Sequence, residues 1–161
     1  PPSENIPFSF NILLNLASVC NTEDPNVLWG FINRYNQKVT KESNPILNSF
    51  VSYAISYYQD FIKPNKSFRL PNEKEKKALV SLCIHLKEMS LEADGEEIQT
   101  LIYTIGKEFD FSSLRDWFGA QYEVLFGQSE GPRIGSFIEL YGISKYIKLI
   151  EKALSGKLIE N

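Results

Sequence analysis

The residues best suited to chemistry in this 161-residue chain lie near its end, in GQSEGPRIGSFIELYG (127–142). There Gly131-Pro132-Arg133-Ile134-Gly135 leads into an apolar run. The first N–H groups of a helix have no internal partners and attract anions or other acceptors. Arg133 adds a planar fork that suits a phosphate or the edge of a nucleobase. Glycines at 131 and 135 admit a ligand or a second backbone at close range. The same glycines would equally serve a tight connection between two helices, and on these residues alone both readings stand.

Other reactive groups do not assemble. The one His, His85, lies in VSLCIHLKEM and at helical spacing shares a face with Ser81, Leu82 and Met89, which suits a hydrogen-bonded structural imidazole. Cys83 is two residues away and points to another face, so no thiol–imidazole pair is expected. Cys20 and Cys83 sit in apolar patterns without a CxxC pair, as free thiols in a reducing cytosol do. Two Cys and one His do not supply the four ligands of a structural zinc. The acidic group Glu92, Asp94, Glu96 and Glu97 around Gly95 lacks the spacing and closing Glu of a calcium loop and reads as a solvated turn. No Walker sequence or GxGxxG occurs. KEMSLEA (87–93) has no lysine after its serine and ends a helix, so it is not an ATP loop. A self-contained enzyme is therefore not expected.

Charge separates along the chain. The net value is −3, which argues against a generally sticky nucleic-acid binder. Residues 25–69 carry Arg34, Lys38, Lys41, Lys63, Lys66 and Arg69 against Glu42 and Asp60, a local +4. That section also holds nine of the 21 aromatic residues, and cations interleaved with rings suit single-stranded nucleic acid. Packing in a core accounts for most of those rings equally well.

The elements that must position these groups are helical. Phe10–Val19 has an apolar face behind Ser9 as N-cap. Asp24-Pro25 and Asn44-Pro45 are start signals, with the cap followed by Pro at the first helical position; the second opens a helix to about Ile62. KPNKSFRLP (63–71) is a Pro-bounded loop. Asn72 with Glu75 forms a capping box for a helix to about Met89. Glu96–Glu108 follows, then a helix capped by Ser112 or Ser113 and stopped at Gly127. Pro132 starts a short helix to Gly142, and Ser144 caps the last. Lys145, Lys148 and Lys152 form a basic stripe on it, opposite Ile147, Leu149, Ile150 and Leu154. No strand alternation is sustained. The expected fold is all-α, a multi-helix bundle of about eight helices. It forms a single region, 1–161, with a division into halves 1–70 and 71–161 at the loop. At 43% hydrophobic content with no long apolar run, no membrane span is expected.

YEVLFGQSEGPRIGSFIELYGISKYIKLI (122–150) resembles the carboxyl-terminal signature of class I lysyl-tRNA synthetases, close to LLGQ-x-x-GPR-x-G-x-F-x-x-L-G. Gly127, Gln128, Gly131, Pro132, Arg133, Gly135, Phe137, Leu140 and Gly142 fall in place. IPFSFNILLNLASV (6–19) is similar to the start of the same region. The resemblance implies a helical cage that receives the anticodon stem-loop of a lysine tRNA in the cytoplasm. It places Gly131, Pro132, Arg133 and Ile134 at an anticodon base. The catalytic Rossmann domain, with its HIGH and KMSKS motifs, ATP and Mg²⁺, would lie upstream. Neither motif occurs here, and the chain opens at Pro1 with Met89 as its one methionine, as expected of a fragment that binds without catalysing and needs no cofactor of its own. Arg115, Trp117 and Tyr122 before the turn, Arg34 and Tyr35 in the basic section, and Lys145 on the stripe are further candidate contacts. Core or solvated surface accounts for each of these equally. The alternative is a helical protein-interaction scaffold, which predicts a large exposed apolar patch and no salt-dependent RNA binding.

Overall fold

The computed structural model describes residues 7–159; Pro1, and Ile6 at the head of the 6–19 similarity, lie outside them. Among the described residues there are eight α-helices and no strand. They belong to two compact units that part between Pro64 and Asn65, inside the loop predicted at 63–71.

The first unit holds α1 (Phe10–Cys20), α2 (Pro25–Tyr35) and α3 (Pro45–Tyr57). Ser9 accepts a hydrogen bond from the Ile12 N–H and Asp24 from the Asn26 N–H, so both expected caps form. Asn44 makes no such bond; α3 starts on the fixed φ of Pro45 alone. α1 packs on α3 through a broad apolar surface that includes Leu13, Leu16 and Ala17, all fully buried. The expected regular helix to Ile62 is corrected in one respect. After Tyr57 the chain widens into a π-helical turn, Tyr58–Ile62, and then tightens into a 3₁₀ turn, Lys63–Asn65. Tyr58 stays fully buried there, and its hydroxyl donates to Asn21 Oδ1 at 2.5 Å.

The second unit holds α4 (Glu73–Glu88), α5 (Gly95–Glu108), α6 (Leu114–Gln121), α7 (Ile134–Tyr141) and α8 (Ile143–Leu154). The Asn72/Glu75 capping box is complete in both directions. Asp94 caps α5 and Ser113 caps α6. α6 also runs into a π-helical turn, Tyr122–Phe126, which Gly127 ends at φ 70°. α7 lies against α5 in the most extensive helix pairing of the unit, and α4 lies against α8. Two boundaries differ from expectation. α7 begins at Ile134, not Pro132, because long-range bonds hold the preceding turn extended. α8 begins at Ile143, so Ser144 falls inside its first turn and Gly142 occupies the capping position.

Candidate functional site

The 131–135 turn is held from two sides. The Tyr122 hydroxyl, on the π turn that ends α6, donates to the Pro132 carbonyl at 2.7 Å. Its ring fills the space where a side chain at 131 would stand, since a Cβ on Gly131 would lie 2.5 Å from Tyr122 Cδ1. Burial raises the Tyr122 phenol above its ordinary value, so it remains a neutral donor. From the other side, the Gly135 N–H donates to Gln99 Oε1 of α5 at 2.7 Å, in a buried bond. A Cβ on Gly135 would collide with the Gly95 carbonyl oxygen. Glu139 of α7 reciprocates, accepting from the Gly95 N–H at 2.9 Å. Two helices thus cross glycine on glycine, each terminus capped by a side chain of the other.

Both glycines are therefore used by packing within the unit. The expectation that they leave room for a ligand gives way to occupied space. The Pro132 and Ile134 side chains are buried, so the turn presents its backbone and Arg133 outward. Arg133 is about half exposed, and its Nη2 pairs with Glu96 Oε1 at 2.9 Å. The acidic turn at 92–97 is thus more than solvated charge, since Asp94 caps α5 and Glu96 holds Arg133.

The other candidates separate. Trp117 is fully buried, its indole N–H bonded to the Ile102 carbonyl and its ring stacked on Phe111. It is a core residue, which corrects its expected place among contact residues. Arg115 is exposed and lines a cleft of about 510 Å³ with Arg69, Lys74, Glu75, Phe111 and Glu123. Lys145 is exposed on α8 beside Lys148 and Lys152, while Tyr146, Leu149 and Ile150 are buried. Arg34 and Tyr35 are exposed at the end of α2 in the first unit. His85 Nδ1 lies 2.8 Å from the Ser81 carbonyl oxygen, a structural contact within α4. Burial pushes the Cys83 thiol up to about 11, so it is inert at neutral pH.

Two groupings escaped the sequence reading. Arg69 forms a fork with Glu75, Nη1 to Oε1 at 2.8 Å and Nη2 to Oε2 at 2.9 Å, while its Nε donates to Glu123 at 2.6 Å. One cation of the basic section, the half-buried Arg69, is therefore engaged by two carboxylates of the protein itself. The second grouping is a row of rings on α3 and its π turn. Tyr53 and Phe61 are each 60% exposed, with Tyr57 between them and Phe10 against Tyr53 at 5.1 Å. The i, i+4 spacing of 53, 57 and 61 was its signal in the sequence.

The chain is similar to lysine–tRNA ligases. It is 46% identical over 154 residues to the lysine–tRNA ligase of Rickettsia bellii and 44% identical over 154 residues to that of Rickettsia africae; each match covers 96% of this chain and 30% of the relative. The lysine–tRNA ligase of Rickettsia felis is 46% identical over 158 residues, which cover 98% of this chain and 29% of the relative. The chain thus spans about 30% of the length of the curated relatives it matches. No family model matches it, and no solved structure does.

Proposed function

We propose that this chain is the anticodon-binding region of a class I lysine–tRNA ligase and that it lies at that enzyme's carboxyl-terminal end. The observation that carries this reading is the likeness to lysine–tRNA ligases over 96% of the chain. The exposed Arg133 on a rigid turn supports it locally. In this reading Arg133 and the backbone of Gly131, Pro132 and Ile134 meet an anticodon base of lysine tRNA. Arg115, Lys145, Arg34 and Tyr35 are exposed for phosphates and unpaired bases, and Tyr122 sets the turn. Trp117 contributes only by packing.

Attachment of lysine to tRNA with ATP and Mg²⁺ in the cytoplasm belongs to the parent enzyme in this proposal. Among the described residues no group of three or more His, Cys, Asp or Glu side chains could hold a metal ion.

The test is a salt-titrated binding assay with a lysine tRNA transcript and its anticodon-substituted version. Wild type is expected to prefer the first. Arg133→Ala is expected to lose about tenfold in affinity for it and most of the preference, the scale of one lost base-edge contact. Equal binding of both transcripts, indifferent to Arg133, would overturn the reading. A protein-docking scaffold is the second reading, favoured by the exposed rings of Tyr53 and Phe61 on either side of half-buried Tyr57. It requires that neither transcript bind in a salt-dependent way.

A further inference from the structure

The pairing of Arg133 with Glu96 defines what the turn can recognise. The pair is not a chance meeting of two mobile side chains. Glu96 and Gln99 lie three residues apart on one face of α5. Gln99 holds the Gly135 N–H, and Glu139 of α7 holds the Gly95 N–H. The backbones on either side of the pair are therefore fixed, and Glu96 projects from the first turn of α5 directly to Arg133. Glu97 adds a second carboxylate on that first turn, and Asp94 a third at its cap.

We infer that Glu96 is a specificity-determining residue that screens Arg133 from phosphate and leaves the pair to read a nucleobase edge. This deepens the anticodon reading and rests on it. A phosphate that takes the remaining N–H groups of Arg133 sits beside the Glu96 carboxylate, on a helix turn that also carries Glu97 and Asp94. Its attraction to Arg133 is offset by repulsion from the carboxylate that stays in place. A base edge is neutral and carries both donors and acceptors. One bond, Nη2 to Oε1, joins the pair. The other guanidinium N–H groups are left to donate to base acceptors, and Glu96 Oε2 is left to accept from a base imino or amino group. Such a ligand uses both members of the pair, whereas phosphate is attracted by one and repelled by the other.

The test uses the full 161-residue chain, with Glu96→Gln, Arg133→Ala and the double variant, against the lysine tRNA transcript and its anticodon-substituted form. Both transcripts carry the same phosphate backbone. Glu96→Gln is expected to strengthen binding of the substituted transcript about two- to fivefold, the range of an exposed ion pair. It is expected not to strengthen the cognate complex, so discrimination falls. The slope of log affinity against log salt should steepen by about one. In the Arg133→Ala background the same change should do nothing. Unchanged discrimination in Glu96→Gln, or equal gains for both transcripts, would overturn the inference alone, provided that Arg133→Ala still weakens cognate binding. If Arg133→Ala is indifferent, or wild type binds neither transcript at low salt, the anticodon reading falls and takes the inference with it. Glu96 is 80% exposed, so thermal melting of Glu96→Gln should match wild type.

Discussion

At the scale of single residues, burial separates the groups that can meet a partner from those that shape the surface. Trp117 has two reasons to be in the core: a large apolar ring and one N–H, which the Ile102 carbonyl satisfies. Trp117→Ala is expected to cost about 3–5 kcal/mol of stability in urea unfolding, since it removes the ring and leaves a cavity. Trp117→Phe is expected to cost less, about 1–3 kcal/mol, from the smaller ring and the lost indole bond, since the helix itself still engages the Ile102 carbonyl. In sequence, Trp117 is as compatible with a contact residue before the turn as with the core. The distinction lies in Gly106 and Leu114, which pack beside the indole, and no local pattern around Trp117 contains Gly106.

At the scale of elements, what was legible was what acts within a few residues. Ser9, Asp24, Asn72 and Ser113 each cap a donor two or three positions on, so those helix starts could be read, whereas Asp94, which in sequence reads as part of a solvated turn, caps α5. The π turns could not. Neither YQDFI nor YEVLF contains a Gly or Pro, and tertiary contacts hold the tyrosine that opens each one. The start of α7 was misplaced for the same reason: Gln99, which takes the Gly135 N–H, is 36 residues away. Glycines offer a controlled comparison. A Cβ at Gly119, inside α6, meets nothing within 4 Å, so Gly119→Ala is expected to stabilise by about 1 kcal/mol through helix propensity. Gly135→Ala carries the same propensity gain, but its methyl meets the Gly95 carbonyl and Gln99. Overpacking of about 1–3 kcal/mol or more should win. Chemical denaturation of the two variants should therefore shift in opposite directions.

At the scale of the whole molecule, the near-neutral balance of charge hides which ions are engaged. The Arg69 guanidinium holds the Glu75 carboxyl below its ordinary value of 4.5, through a direct hydrogen bond that outweighs desolvation. A carboxylate depressed in this way contributes stability above its unfolded value, and that contribution is lost as pH falls through the folded one. Glu75→Gln is accordingly expected to cost about 2 kcal/mol at neutral pH, the scale of a hydrogen bond to a charged group. The gap to wild type should close as the solution is acidified past 4.5, which urea melts at a series of pH values would follow. In sequence, Asn72 and Glu75 were legible as a cap, but the claim of Arg69 on the same carboxylate was not. Counting Arg69 as surface charge made the basic section look more available than it is.

The contact between Tyr122 and Gly131 also constrains how this sequence can drift. An alanine arising first at 131 would strike the ring, and a smaller residue arising first at 122 would empty the space and drop the bond to the Pro132 carbonyl. The two positions are therefore expected to be inherited as a pair. A lineage that changed both would have to pass through an intermediate with a poorly seated turn, and Arg133 would be misaimed in that ancestor before any change to Arg133 itself.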